Sequence, residues 1–492
     1  MWLRELRIKN LKRLRDFTLD LKQPDGSPRK WSVLIGRNGT GKTTILQAAA
    51  LAAAGGFRAN ELVQDLRESF SDKRLERVDQ GGVNGRVERV VSAEVSIAAD
   101  FVFGPVGRRS PTSHPFLSRD ERALFESAEG FQKRLRARLW INPDRVVEGN
   151  SGYVDAGAAS LCGDDPTGGR FDDPTLKRGT IRTRDEDLLI AAREFDLPHW
   201  FVAGYGVQRD LPRAAAKVER PERTSIDRLR PLFGARELIG PNFTTLFDEP
   251  ELARSYAVLL KEVLLQTEAL VPGITDIELR GRGGVSRGEH LLDSHRFEQS
   301  VNGHALKLPA RWLSHGYQSS LAWISDLVGQ VVLEAGRTVD PRRMEGLVLI
   351  DEIDLYLHPS WQVGLIGALR DTFPNLQFIV TTHSPILLSA FRQDEVVMLD
   401  YDDEGNVVQV PTPRDPRLLT GSELYDAFFG IDRLYPAELG DKVDAYVLLL
   451  RKAARSDAEE RTMRELYREL NDQGLATLAP PPSAASVKGA RG

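Results

Sequence analysis

One stretch limits what this chain can fold into more than any other. Lys30-Trp-Ser-Val-Leu-Ile, a short apolar run, passes directly into Gly36-Arg37-Asn38-Gly39-Thr40-Gly41-Lys42-Thr43-Thr44 and then into Ile-Leu-Gln-Ala-Ala-Ala-Leu. The order predicts a strand, a glycine-rich loop and a helix. Gly36, Gly41, Lys42 and Thr43 fit G-x-x-x-x-G-K-[ST], in which glycines let backbone N–H groups converge on phosphate oxygens without a Cβ in the way. Lys42 is expected to reach the β/γ-phosphates and the Thr43 hydroxyl to hold Mg²⁺. The alanine-rich helix aims its positive end at the phosphates before Gly55-Gly56 stop it. A strand–helix turn without a ligand is the bland alternative, and the flanking strand and helix weigh against it.

At 492 residues the chain is too long for one small core and suggests roughly two to four lobes;. Lys+Arg total 66 against Asp+Glu 71, a net charge of −5, so no global basic excess advertises nucleic acid. A local basic groove stays open, because binding depends on where charge sits. The single cysteine, Cys162, excludes an internal disulfide framework and fits a reducing compartment;. No apolar run approaches bilayer length and the N-terminus has no apolar signal core, so a cytoplasmic protein without a membrane segment is expected;.

Along the chain, residues 2–21 alternate apolar and polar and predict two half-buried strands joined near Asn10;. Residues 1–56 form the first half of a nucleotide-binding head. From 57 to 199 the pattern loosens into a helical stretch, Phe116 to Trp140, and a Gly/Asp-rich segment with few large apolar residues, which suggests an insertion or lid, partly flexible;. Order returns over 200–400, the second half of the head. It holds the strand ending Tyr205-Gly-Val-Gln208-Arg209, a helix from Pro250 to Leu270, a hairpin at Asn302-Gly303, the long helix after Leu313, and two apolar strands, Leu347–Ile350 and Gln377–Thr381;. A hairpin and helical region fill 401–478, and the Pro/Ala/Ser-rich 479–492 reads as a disordered tail;.

ATP hydrolysis needs an acid on the Mg²⁺ shell and a group that orients and deprotonates water, both at the carboxyl end of a strand beside the phosphate loop. Asp351 and Glu352 follow four consecutive apolar residues, as at the end of a parallel strand covered on both faces;. Asp351 is assigned to Mg²⁺ and Glu352 to the nucleophile. His383 ends the next apolar strand, where an imidazole reaches a γ-phosphate or the water, and that placement favours function over a structural histidine. For Gln208, a place in the Mg²⁺ shell and a solvated turn stay equally open. Ser314 and Gly316 open a helix with no phosphate loop of its own, which makes either a plain N-cap or an anion site serving another subunit. His290 and His295 lack matching ligands, and solvated or structural histidines are favoured.

In order, Gly36-Arg-Asn-Gly-Thr-Gly-Lys-Thr-Thr, Leu313-Ser-His-Gly-Tyr-Gln, Leu347-Val-Leu-Ile-Asp-Glu-Ile-Asp and Thr382-His-Ser-Pro resemble the Walker A, signature, Walker B with D-loop, and H-loop motifs of ABC-type ATPases. The opening Leu6-Arg-Ile-Lys-Asn-Leu-Lys and Asp351-Glu-Ile-Asp-Leu-Tyr-Leu-His-Pro are more similar to the RecF/SMC/OLD branch, and Leu-Ser-x-Gly-Tyr-Gln resembles defence-island ATPases such as the Septu ATPase. The resemblance implies an α/β, ABC-ATPase-like P-loop sandwich: a mixed, largely parallel core sheet, an antiparallel β lobe, a helical insertion and a helical C-terminal region. It implies a head-to-tail dimer with two sandwiched ATPs, each between Lys42, Asp351, Glu352 and His383 of one subunit and Ser314 and Gly316 of the other. Asp354 would lie in the D-loop across that interface, and Lys12 stands where relatives carry an arginine near the nucleotide.

Three functions follow as expectations. The first is an ATPase, of fast or slow turnover, whose dimerisation gates a separate effector such as an HNH-type nuclease in antiphage defence. The second is a nucleotide-gated scaffold that holds a nuclease or toxin on its helical C-terminal region. The third is a RecF-like DNA clamp, motivated by Arg4, Arg7, Lys9, Lys12 and Arg13 and by Arg280 and Arg282, which leaves nucleic acid open as a partner;.

Overall fold

The structure is a computed structural model that describes residues 1–55, 59, 62, 76–78, 87–89, 95–102, 134–141, 154–162, 201–209, 227–234, 238, 246, 249–265, 274–278, 296–301, 303–337, 339–431, 435–452 and 454–475. Its strands are β1 (Trp2–Leu11), β2 (Leu14–Asp20), β3 (Trp31–Gly36), β4 (Glu76–Val78), β5 (Val87–Arg89), β6 (Val95–Val102), β7 (Arg134–Ile141), β8 (Val154–Cys162), β9 (Phe201–Tyr205), β10 (Ile274–Glu278), β11 (Arg296–Val301), β12 (His304–Pro309), β13 (Gly346–Ile350), β14 (Leu376–Thr381), β15 (Val396–Tyr401) and β16 (Val407–Val410). The longer helices are α1 (Lys42–Ala54), α2 (Pro250–Leu265), α3 (His315–Ala335), α4 (Pro359–Thr372), α5 (Gly421–Phe429), α6 (Ala437–Arg451) and α7 (Asp457–Asp472). The chain divides into two units, 1–418 and 419–492.

In the first unit the uninterrupted apolar strands come together, as their lack of alternation demands. A six-stranded sheet has the order β16-β15-β3-β14-β13-β9, with every pair parallel except the β15–β16 hairpin at its edge. Strands β3, β9, β13 and β14 are buried nearly end to end. The phosphate-loop strand and the strand ending in Asp351-Glu352 are therefore separated by β14 alone.

A second, antiparallel sheet has the order β2-β1-β6-β7-β8. Between the two sheets lies α1, buried around its whole circumference from Thr44 to Ala54. A helix apolar on every side belongs inside a core, and small alanines let two sheets approach it from opposite faces. Its side chains cluster with Leu6, Ile8, Phe101 and Leu139 of one sheet and with Leu347, Leu349, Ile379 and Val397 of the other. Gln377, fully buried on β14, joins the layers: its Oε1 accepts from Leu3 N at 2.6 Å, and its Nε2 donates to Leu3 O and Arg29 O at 2.8 Å each.

Two sequence expectations are corrected here. The stretch Phe116–Trp140 read as helical, but Arg134–Ile141 is a strand, and its Ala137 and Leu139, two residues apart on one face, are buried;. Residues 57–199 read as an insertion, yet β6, β7 and β8 complete the antiparallel sheet, with β6 paired to β1 from Trp2↔Val102 to Lys9↔Ser96. The remainder of 103–133, the Gly163–Gly179 run and the tail lie outside the described residues. The β1–β2 turn falls at Lys12-Arg13, with Asn10 and Lys12 at positive φ.

Ahead of β3, Lys30 Nζ stands 3.0 Å from the Trp2 ring centroid and has no hydrogen-bond partner among the described residues. Burial lowers its pKa to about 7, against the opposing pull of Glu345. An unfolded lysine titrates near 10.4, so between about pH 7 and 10 the unfolded chain binds more protons and the fold gains stability as pH rises. Lys30→Met should flatten that rise, read as the Tm between pH 7 and 10 by calorimetry; parallel Tm profiles for the two chains would refute the lowered Lys30 pKa.

The second unit is helical over its described residues. Helices α6 and α7 pack through buried Tyr446, Met463 and Leu470, and Ser456 caps α7 with Glu459 in a reciprocal capping box;. Among the described residues no helix is long and apolar enough to cross a membrane.

Candidate functional site

Gly41, at φ 79°, turns the chain from the phosphate loop into α1, a left-handed conformation that costs a glycine little;. Next in sequence, Lys42 Nζ donates to Gly36 O at 2.8 Å and Arg37 O at 3.2 Å. Burial lowers the Lys42 pKa, with Asp351 and Glu352 acting in the opposite direction. Thr40 Oγ1 donates to Arg37 O at 2.8 Å and braces the loop.

Parallel pairing of β3, β14 and β13 brings three strand ends to one edge. There the Asp351 carboxylate, 5% exposed, is held on both oxygens: Thr43 Oγ1 donates to Oδ2 at 2.7 Å and Thr381 Oγ1 to Oδ1 at 2.6 Å. Thr381 Oγ1 in turn accepts from the backbone N–H of Glu352 at 2.7 Å. Glu352 itself sits at φ 47°, a left-handed conformation rare for a residue with a side chain and a mark of backbone held for a purpose;.

These groups line one cavity of about 540 Å³. Its walls are Lys12, Arg13 and Leu14 of the β1–β2 turn; Asn38, Gly39, Gly41, Lys42, Thr43 and Thr44; Asp351 and Glu352; His383; and Val407. His383 is exposed at the rim, after β14. A hydroxyl and a carboxylate 2.7 Å apart form a hard-oxygen pair suited to Mg²⁺, which is held by one or two carboxylates together with phosphate and water;. Gly36 and Arg37 serve through the carbonyls that hold Lys42.

The remaining sequence candidates lie apart from these walls. Gln208 is exposed beyond β9 and is not among the lining residues. Ser314, at the N-cap of α3, is exposed and makes no side-chain capping bond. Gly316 packs so closely on the loop after β13 that a Cβ there would stand 2.6 Å from Tyr356 O. Neither Ser314 nor Gly316 lines the cavity that holds Lys42. Asp354 accepts from Thr382 Oγ1 at 2.5 Å, which pins the loop after β13 to the turn that carries His383. His290 and His295 lie outside the described residues.

Two residues had no assigned role in the sequence. Thr381 is the hinge of the Asp351 and Glu352 bonding, and its only sequence signal is a polar residue closing an apolar strand. Arg209, 2% exposed, donates from Nε to Gly206 O at 2.7 Å, and from Nη2 to Glu352 O at 3.0 Å and to Asp351 O. Burial lowers its pKa to about 10, so it stays a cation at neutral pH. Its signal was position: an arginine four residues beyond the strand that pairs with the Asp351 strand.

Residues 1–134 match the family model "AAA ATPase domain", and residues 180–389 match "AAA domain, putative AbiEii toxin, Type IV TA system". The chain is similar to Septu protein PtuA of Bacillus mycoides (strain KBAB4), 32% identical over 160 residues, 32% of this chain and 22% of that protein. It is also similar to the Retron Vc95 probable ATPase of Vibrio cholerae serotype O1 biovar El Tor, 31% identical over 154 residues, 31% of this chain and 28% of that protein. The chain thus spans about a quarter of the length of these curated relatives. Among solved structures, the SmcHead bound to the C-winged helix domain of ScpA is similar at 15% identity and a TM-score of 0.44, over 83% of this chain and 98% of that one. The phosphate loop thus lies within the stretch matched by the first model, and the Ser314 helix start, the acid pair and His383 lie within the stretch matched by the second.

Proposed function

We propose that two copies of this chain close head to tail on two ATP molecules with Mg²⁺, hydrolyse them at the shared interface, and thereby control a separate effector protein in antiphage defence in the cytoplasm. The observation that carries the reading is the Asp351 carboxylate, gripped by Thr43 and Thr381 in one cavity with Lys42 and Glu352. Ser314 and Gly316, which the motif order assigns to the same nucleotide, stand outside that cavity, and this supports their use by a second copy;.

Bound Mg²⁺ supplies neutralisation of charge on the phosphates. Lys42 exchanges the carbonyls of Gly36 and Arg37 for phosphate oxygens, and Thr43 and Asp351 provide the hydroxyl and carboxylate for the metal. Glu352 accepts a proton from the attacking water, and His383 donates a hydrogen bond at the γ-phosphate. The likeness to a Septu protein and a retron ATPase supports the defence role.

The test uses the full chain in sedimentation velocity and a phosphate-release assay. A non-hydrolysable ATP analogue with Mg²⁺ should drive self-association, and ATP should be consumed. A chain that neither turns over ATP nor changes mass with any nucleotide would end this reading.

A further inference from the structure

We propose that Arg209 is the positioning residue for Glu352, holding its backbone in the conformation that presents the carboxylate to the cavity. The inference rests on the reading of Glu352 given above and adds to it a residue that no motif assigns. Glu352 departs from ordinary backbone geometry at φ 47°, so something must hold it there;. Three bonds do. Its N–H donates to Thr381 Oγ1 at 2.7 Å, and the carbonyls of the two peptides bounding that N–H and Cα, Asp351 O and Glu352 O, both accept from Arg209 Nη2.

The guanidinium is well suited to this work. It is planar and charged, its hydrogen bonds to carbonyls are charge-assisted, and it is almost wholly buried, where such bonds are least diluted by water;. Its Nε–H···O bond to Gly206 fixes it to its own turn, so the exit of β9 is laced to the exit of β13. Parallel β9–β13 pairing, through Ile350↔Tyr205 and the 2.8 Å bond from Asp351 N to Tyr205 O, sets the two exits side by side. On its far side the guanidinium carbon lies 5.7 Å from the Trp323 ring centroid on α3, the helix that begins with His315 after Ser314;. Tyr205 Oη donates to Asp326 Oδ2 of the same helix at 2.9 Å. Helix α3 and the Glu352 peptide therefore bear on one buried cation, while Lys42 and Thr43 hold the phosphate loop without it.

That division separates a positioning role from a general loss of fold. In Arg209→Met, kcat should fall by about 10²-fold, the scale of a displaced catalytic group, while KM and the Kd for a fluorescent non-hydrolysable ATP analogue stay within about threefold. Arg209→Lys, which keeps the charge and one donor direction, should recover at least tenfold of that loss. Hydrogen exchange at amides 351–353 should quicken in Arg209→Met, with the core amides of β3 and β14 unchanged. Turnover within threefold of the parent, or loss of kcat together with nucleotide affinity and core protection, would overturn the assignment. If the parent chain itself proves unable to hydrolyse ATP, the Glu352 reading fails on that result alone. Exchange at 351–353 then judges Arg209 separately: quickened exchange upholds its hold on this backbone, and unchanged exchange removes it.

Discussion

Glu352→Gln is expected to cut ATP turnover by about 10²- to 10⁴-fold, the range over which a positioned general base acts, while nucleotide still binds. Glutamine keeps the shape of the side chain and leaves the backbone bonds to Thr381 and Arg209 in place. It cannot take a proton from water at neutral pH. Binding depends on Lys42 and the Thr43–Asp351 pair, which the substitution does not touch. Because hydrolysis is the step that opens the proposed dimer, the variant should accumulate as an ATP-bound dimer in sedimentation experiments. Turnover equal to that of the parent would remove Glu352 from its role.

A second large effect tests whether neither copy owns a complete pocket. Ser314 is exposed and its hydroxyl caps nothing, so Ser314→Glu leaves the fold intact; a carboxylate at the first turn of α3 even favours the helix;. The same carboxylate fills the anion site with charge that repels a triphosphate. Lys42→Ala disables the loop on the other face of the pocket. Each variant alone should lose at least about 10²-fold in turnover, the scale of one lost electrostatic contact to the reacting group. Mixed in equal amounts, half of the dimers should be heterodimers, each with one intact composite site, so about a quarter of the parent rate should return. Mixtures as inert as the separate variants would argue for a pocket completed within one chain.

Much of this site was legible because its chemistry is local. Gly36 to Thr44 is a continuous motif, and the runs before Asp351-Glu352 and His383 are predominantly apolar, as expected of buried parallel strands;. What escaped was set by partners far away in sequence. Arg134–Ile141 carries arginines at alternate positions, the period of a strand, but this short signal ends a longer stretch whose overall pattern read as helical;. The strands within 57–199 looked like an insertion because their sheet is founded on β1, which precedes the phosphate loop in the sequence. Thr381 and Arg209 escaped for a different reason. Arg209 acts on the backbone carbonyls of Asp351 and Glu352, and Thr381 on the Glu352 N–H as well as the Asp351 carboxylate; a side chain that recognises a peptide group leaves no partner type in the sequence to pair it with.

The position of β3 has a consequence for biogenesis. Its only neighbours in the six-stranded sheet, β14 and β15, begin at Leu376 and Val396, so the apolar segment that leads into the phosphate loop leaves the ribosome more than three hundred residues before anything can pair with it. Closure of so long a span makes assembly slow, and the waiting segment is an invitation to aggregate. The nascent polypeptide should therefore depend on holdase chaperones until the codons for β15 have been translated, and premature termination upstream of them should yield insoluble product rather than a smaller nucleotide-binding fragment.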